Sequence, residues 1–66
     1  EIRREVELAL QELPEELRSA ITLREIEGMS YEEIAEVMEC PVGTVRSRIF
    51  RARDVIDKRI QPLLQR

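Results

Sequence analysis

The segment from residue 43 to residue 63 constrains the fold most, because its apolar residues recur at a helical period. Placed at about 100° per residue, they fall along one side of a helix: Val45, Ile49, Ala52, Ile56 and Leu63, with Ile60 near the edge. A stripe of this width is typical of a helix that packs against a core. One long amphipathic helix is therefore predicted for the C-terminal part of the chain.

The opposite face of this helix has an unusual composition for a solvent-exposed surface. It carries Gly43, Arg46, Ser47, Phe50 and Asp54, with Arg51 and Arg53 at its two borders. Glycine, serine and phenylalanine are weaker helix formers than the residues that usually cover an exposed face. Arginine pairs with guanine edges and phosphates, serine adapts to several bases, and phenylalanine packs on thymine methyl groups. Gly43 would let the backbone at the helix start approach a phosphate. These properties predict a DNA recognition helix.

Composition narrows the class of protein. The 66 residues include only 3% aromatic residues, so the core must be small and aliphatic. Charged residues make up 38%, but both signs alternate with apolar positions, which favours a folded helical domain over disorder. The sequence contains one cysteine and no histidine, which argues against a disulfide, a zinc site or another metal site. No pattern of an enzyme or of a cofactor site is present.

The sequence shows neither a signal peptide nor a membrane-spanning run, so a cytoplasmic protein without membrane insertion is expected. It starts in a helical pattern without methionine, which suggests a domain of a longer protein. Charge divides the chain unevenly. Residues 1–39 hold four Lys/Arg and twelve Asp/Glu, a balance of −8, whereas residues 40–66 hold seven and two, a balance of +5. This polarity indicates nucleic acid on the basic side and leaves a basic protein partner as an option on the acidic side.

The N-terminal half predicts two further helices. Apolar residues recur at helical spacing over residues 2–12, and Leu13 before Pro14 is expected to end this helix. Pro14 then becomes an early residue of the second helix, which Gly28 ends in a left-handed conformation. The second helix supplies its predicted core residues from one stripe: Leu17, Ala20 and Ile21, with Leu23 or Ile26 as further candidates.

A third helix is predicted over residues 31–38, because Ser30 and Glu33 form a capping box and Met29 with Ile34 a hydrophobic staple. Its core candidates are Ile34, Ala35, Val37 and Met38. Cys40 is predicted as the N-cap of the fourth helix, which runs from about Pro41 to about Ile60 and is ended or kinked by Pro62. The result is an all-α, four-helix single domain over residues 1–66, with a helix-turn-helix at about 30–60.

Three blocks of sequence resemble a known family. They are residues 13–18 (LPEELR), 23–35 (LREIEGMSYEEIA) and 40–53 (CPVGTVRSRIFRAR). Together they resemble the C-terminal domain, called domain four, of bacterial extracytoplasmic-function sigma factors, particularly the sigma-E type. The resemblance implies that the domain binds double-stranded promoter DNA at the minus-thirty-five element and docks on the β flap of RNA polymerase. It also implies sequestration by an anti-sigma factor and a role in stress-responsive transcription initiation.

The same resemblance assigns roles to individual residues. The set facing the groove and reading bases is Arg46, Ser47, Phe50 and Arg51. The supporting or backbone-contacting candidates are Arg24, Tyr31, Glu32, Thr44, Arg48 and Arg53.

Several of these assignments have structural alternatives. Phe50 could fold back on the domain, and Tyr31 could serve packing at the start of the third helix. Arg24 could pair with Glu25 or Glu27, and Arg48 and Arg53 could pack along the core or pair with glutamates.

Two other functions remain open from the residues alone. A LuxR-type response-regulator output domain also has four helices, but it usually dimerises, whereas a sigma domain is expected to be a monomer when free. The second alternative is a domain that serves only as an anti-sigma factor target.

Overall fold

The computed structural model describes residues 1–64, which form four helices without a strand. Their bounds are α1 (Ile2–Glu12), α2 (Glu15–Glu25), α3 (Tyr31–Met38) and α4 (Val42–Leu64). The predicted all-α, four-helix fold is confirmed. All four helices begin within a residue or two of the predicted positions, and α1 and α3 also end where predicted. Whether residues 65 and 66 belong to the same domain lies outside the described residues.

The first two helices are separated by the predicted break. Leu13 adopts an extended conformation (φ −70°, ψ 145°), as expected of a residue before proline. Pro14 is the N-cap of α2 rather than a residue inside it, and its carbonyl accepts the first backbone bonds of that helix. Glu15 and Glu16 occupy the first turn, where carboxylates interact favourably with the helix dipole.

The second helix ends earlier than the position of Gly28 suggests. Its last residue is Glu25, and Gly28 lies in the following loop with a positive φ of 73°. The left-handed conformation predicted for Gly28 is therefore confirmed, but its place at the end of the helix is wrong. Ile26 lies just after the end of α2 and is 69% exposed, so the prediction that it could belong to the core is wrong. Leu23, the other candidate, does pack on the core.

The start of α3 follows the prediction. The Ser30 hydroxyl accepts a hydrogen bond from the Glu33 backbone N–H at 3.1 Å, and the Glu33 carboxylate accepts one from the Ser30 N–H at 2.8 Å. Met29 packs on the cluster that contains Ile34, in agreement with the expected staple. Val37 is the exception on this helix, because it is 56% exposed and was expected to be buried.

Two apolar clusters form the core. The first lies where α2, α3 and α4 meet and consists of Ala20, Ile34, Ala35, Val45 and Ile49. The second consists of Leu13, Ile21 and Ala52, with Leu10, Leu17 and Ile56 packed around it. Both clusters include residues of α2 and α4, so these two helices form the centre of the domain, with α1 and α3 on either side.

The fourth helix is longer than expected. Its 23 residues span about 34 Å at 1.5 Å per residue, which accounts for most of the 40 Å long axis of the molecule. The helix continues through Pro62 to Leu64, so the expected end at Ile60 is wrong. Proline removes only one backbone donor here, and Pro62 is exposed, where water can satisfy the carbonyl left without a partner.

The first helix is attached to α4 by polar as well as apolar contacts. Arg59 donates to the Glu5 carboxylate at 2.9 Å and also pairs with Glu12, two turns further along the same face of α1. The hydrogen bond from Arg59 lowers the pKa of Glu5 below its ordinary value. The same bond raises the pKa of Arg59. These pairs hold α1 against the C-terminal half of α4.

Candidate nucleic-acid interface

The candidate interface is the outward face of α4. Its four predicted base-reading residues are all exposed: Arg46, Ser47, Phe50 and Arg51. Phe50 has 73% of its surface exposed, so it does not fold back on the domain. An exposed phenylalanine on a soluble helix has no packing role in the free protein, and its large apolar surface is available to a partner.

The rotation of α4 about its axis is fixed by its inward face. Val45, Ile49 and Ala52 are essentially fully buried, with exposed fractions of 0%, 1% and 0%. Because they follow a helical period, the residues between them are forced to the opposite side of the helix. Arg46 and Phe50, each directly after a buried residue in the sequence, consequently point away from the core.

The turn before α4 is built from a specific set of backbone bonds. Glu39 adopts a left-handed conformation (φ 54°, ψ 51°), and its N–H donates to the Glu36 carbonyl at 3.3 Å. The N–H of Cys40 reaches back to the Ala35 carbonyl at 3.0 Å. Together these are the two bonds of a Schellman motif, usually made with glycine at the position of Glu39. This turn sets the direction in which the chain leaves α3 and enters α4.

Cys40 is not the N-cap of α4, contrary to the prediction. The first backbone bond of the helix runs from Val45 to the carbonyl of Pro41, so the cap is Pro41. The physical reason is that Cys40 still belongs to the turn that closes α3, so α4 begins at Val42 and the carbonyl of Pro41 accepts its first bonds. The Cys40 thiol instead lies 3.8 Å from a guanidinium nitrogen of Arg48.

The start of α4 leaves room for a ligand close to the backbone. Gly43 is exposed, and a Cβ added there would meet no atom within 4 Å. Thr44, the next residue, is half-buried and donates its N–H to Pro41. The first turn of a long helix presents free N–H groups and a positive dipole, which suits a phosphate.

The basic residues of α4 divide into paired and unpaired groups. Arg53 pairs with Glu25, Lys58 with Asp54 at 3.1 Å, and Arg59 with the two glutamates of α1. Within residues 1–64, Arg46, Arg48 and Arg51 form no ion pair. The unpaired arginines thus cluster in the first half of the helix, beside the exposed Phe50, and the paired ones occupy the second half.

The remaining predicted site residues lie around the start of α3. Arg24 donates to the Met29 carbonyl at 2.8 Å instead of pairing with Glu25 or Glu27. Its guanidinium lies over the ring of Tyr31, with 4.7 Å between Cζ and the ring centroid. Glu32 follows in the first turn of α3 and is exposed.

The structure brings most of the predicted residues together and separates two. Tyr31 joins the α3 group to α4, since Arg46 also lies over its ring at 5.9 Å. Arg48 is half-buried and points toward the turn, where it lines a groove with α2, and Arg53 is held by Glu25. Their roles in DNA contact stay predictions.

Two residues of the site were missed from the sequence. Glu25 forms an ion pair with Arg53, and Glu39 adopts the left-handed conformation of the turn. In the sequence, both look like ordinary charged surface residues. For Glu39 a signal existed, because a helix ending before Cys40-Pro41 needs a left-handed residue and no glycine is available there. For Glu25 no local signal exists, since its partner is 28 positions away.

The described part of the chain shows no group of side chains suited to a metal ion. Over the same residues, none of the helices has the length and apolar character needed to span a membrane.

Comparisons with known proteins give matches whose residue ranges include the whole candidate interface. The sequence profile of the family described as "Sigma-70, region 4" matches residues 3–55. The RNA polymerase sigma-H factor of Pseudomonas aeruginosa is 68% identical over 65 residues, which cover 98% of this chain and 34% of that protein. The ECF RNA polymerase sigma-E factors of Escherichia coli K12 and Salmonella typhi are each 64% identical over 66 residues, covering all of this chain and 35% of theirs. The chain thus spans about a third of the length of the curated relatives it matches.

Proposed function

Since the chain belongs to the sigma-70 region 4 family, we propose that it is the promoter-recognition domain of an alternative sigma factor. It reads the upstream, minus-thirty-five element of double-stranded promoter DNA with the outward face of α4. The observation that carries this proposal is the position of unpaired Arg46 and Arg51 beside exposed Phe50, on the face opposite the buried stripe. The base-reading set is completed by Ser47.

The backbone contacts are proposed to surround this reading face. Gly43 and Thr44 place the positive end of α4 next to a phosphate. Arg24, from the last turn of α2, and Tyr31, from the start of α3, approach the same strand, and Glu32 supports them. Arg24 uses one donor on Met29 and keeps four other N–H groups for a phosphate.

The test of DNA reading is selection of bound duplexes from a random pool. A monomeric domain with a single recognition helix should enrich a short, non-palindromic motif. A palindrome would contradict the proposal and favour a dimeric, LuxR-type output domain, an alternative that the family match does not favour. No enrichment at all would leave a domain that acts only as an anti-sigma factor target.

Binding by this chain alone should be weak and sensitive to salt. The net charge is −3, so attraction comes from the local basic face rather than from the whole molecule. Titration of one duplex at several salt concentrations measures this directly. Tight binding that salt leaves unchanged would contradict a phosphate-based interface.

RNA polymerase is the second proposed partner, and it places the protein in the cytoplasm. The curated relatives are named RNA polymerase sigma factors. We propose that the β flap docks in an open groove lined by α2, α3 and Arg48 of α4, which contains none of the four base-reading residues. The groove has Leu23, Val37 and Met38 among its lining residues and Glu15 and Glu16 at its rim. The grouping of Leu23, Val37 and Met38 in one open groove supports an apolar partner here.

A substitution separates polymerase docking from DNA reading. Val37→Asp should weaken association with core polymerase and leave the selected DNA motif unchanged. The matched control is Glu36→Asp, at an exposed neighbouring position that does not line the groove. Equal loss of core binding in both variants would contradict docking at this groove.

An anti-sigma factor is proposed as the third partner, and the free domain is proposed to be a monomer. The support for an anti-sigma factor is the −8 balance of residues 1–39, which suits a basic protein surface. Copurification of this chain with a basic protein, released by DNA or by high salt, is the expected observation.

A further inference from the structure

Tyr31 lies between two arginines that come from different helices. The Cζ atom of Arg24, on α2, is 4.7 Å from the centroid of the Tyr31 ring, and that of Arg46, on α4, is 5.9 Å away. Both distances are within the range of about 6 Å over which a cation is attracted to an aromatic ring. One ring at the start of α3 thus contacts residues of both neighbouring helices.

The ring itself is held in place from two sides. Tyr31 is half-buried and packs on the first core cluster, which includes Ile34 and Val45. Arg24 is fixed by its 2.8 Å hydrogen bond to the Met29 carbonyl and covers the ring. The ring is therefore a rigid feature of the free domain rather than a mobile surface side chain.

Arg46 depends on this ring for its order. Its side chain is exposed, and among residues 1–64 it forms no hydrogen bond and no ion pair. The Tyr31 ring is the one partner that the described structure gives it. A free arginine side chain has many rotamers, which binding to a base would have to restrict. A contact that restricts them beforehand improves binding by preorganisation.

We propose that Tyr31 is a positioning residue for Arg46. Its ring orders the Arg46 guanidinium over the outward face of α4 before DNA arrives, and so contributes to base discrimination without touching a base. This inference rests on the proposed function, and it differs from a role of the Tyr31 hydroxyl in phosphate contact. The two roles predict different results for two substitutions.

Tyr31→Leu removes the ring, and Tyr31→Phe removes only the hydroxyl. Positioning predicts that Tyr31→Leu lowers discrimination about two- to fivefold, at the same base pair where Arg46→Ala lowers it. Tyr31→Phe should keep that discrimination. If both variants instead weaken all single-base variants of the site equally, the hydroxyl acts on the backbone and the positioning role is overturned.

A double-substitution cycle measures the coupling directly. Tyr31→Leu should have little further effect on discrimination once Arg46→Ala is present, because the residue it positions is gone. The matched control pairs Tyr31→Leu with Arg51→Ala, an exposed arginine of the same helix that is not over the ring. Effects in that control pair should be independent. Independent effects in the Tyr31–Arg46 pair would overturn the proposal.

An NMR measurement on the free domain tests the contact between Tyr31 and Arg46 without DNA, so its result does not depend on the proposed function. In the free domain, the Arg46 Nε–H resonance should carry a ring-current shift that Tyr31→Phe retains and Tyr31→Leu removes. Ile34→Val, which perturbs the same core cluster, controls for loss of stability and should leave both this shift and discrimination unchanged. If Arg46→Ala loses discrimination between bases but Tyr31→Leu keeps it, the positioning role of Tyr31 is overturned and the proposed function is not. Binding without any sequence preference by the unsubstituted chain overturns the proposed function as well.

Discussion

Arg53 on α4 is ion-paired with Glu25, the last residue of α2, so a predicted DNA-contacting side chain is held by a carboxylate of the same domain. The two side chains are 49% and 50% exposed, which leaves the pair open to solvent and to a ligand. The hydrogen bond to Glu25 raises the pKa of Arg53, a side chain that is already charged at physiological pH. A phosphate that binds Arg53 has to compete with Glu25.

Removing this competition should strengthen DNA binding. Glu25→Gln frees Arg53 and is expected to tighten binding to all duplexes alike, by up to about fivefold, as befits a half-exposed pair. The salt slope should steepen by up to about one unit. The control is Glu27→Gln, which removes the same charge two residues away. Equal effects of the two variants would show that charge alone matters and that the pair does not.

Base recognition by Arg46 and phosphate contact by Arg53 should respond differently when each side chain is truncated to alanine. If Arg46 binds a guanine, Arg46→Ala should weaken binding to the preferred site by about 1–3 kcal/mol and flatten discrimination at one base pair. Arg53→Ala should weaken binding to all duplexes alike and lower the salt slope by about one unit. A panel of single-base variants at several salt concentrations distinguishes these results. Equal weakening of every duplex by both substitutions would refute base reading by Arg46.

The turn before α4 offers a test of stability. Glu39 adopts φ 54°, a conformation that disfavours any side chain with a Cβ. Glu39→Gly should therefore stabilise the domain by about 0.5–1 kcal/mol, after subtraction of the greater freedom of glycine in the unfolded chain. Urea midpoints at unchanged slope measure this.

Two variants control for charge and for glycine itself. Glu39→Gln removes the charge but keeps the Cβ, so it should give no comparable gain. Glu36→Gly lies inside α3 and should destabilise by about 1 kcal/mol. A destabilised Glu39→Gly would mean that the left-handed turn is not formed.

The contact between α1 and α4 should weaken in acid. Because Arg59 lowers the pKa of Glu5, the folded state favours the carboxylate. The stabilisation from this group is complete above the ordinary glutamate pKa of about 4.3, and it is lost as the pH falls through the lower pKa of the folded state.

Melting temperatures at pH 7 and pH 3 test this sign. Glu5→Gln should lower the melting temperature at pH 7, and the difference from the unsubstituted chain should shrink at pH 3. Glu7→Gln, at an exposed position of the same helix, should show neither effect. A difference that persists at pH 3 would contradict the role of the ionised carboxylate.

Local signals predicted most of the fold. The capping box at Ser30, the proline after Leu13 and the apolar period of α4 act over a few residues, and each is visible in the sequence. The failures have a different origin. Pro62 was expected to end or kink α4, but the helix continues to Leu64, because an exposed proline in the last turns removes only one backbone bond. Cys40 was expected to cap α4, but it belongs to the preceding turn, and the Pro41 carbonyl accepts the first bonds of α4.

The candidate site was predictable in part for the same reason. Arg46 and Phe50 follow from the helical period, because the buried residues beside them fix the orientation of the helix. The pairing of Arg53 with Glu25 and the ring contact of Arg46 with Tyr31 join residues that are distant in the sequence. A single sequence carries no signal for such pairs, since charged and aromatic residues have many equally suitable partners.

The inward and outward faces of α4 restrict its sequence for different reasons. Val45, Ile49 and Ala52 are tied to the core, so substitutions there endanger folding. Ser47, Phe50 and Arg51 contribute little to the core, so they are free to change without loss of the fold. On the proposed function, related domains can therefore diverge in the DNA they prefer while they keep one scaffold, and new promoter preferences can arise by replacing a few side chains on a helix whose stability does not depend on them.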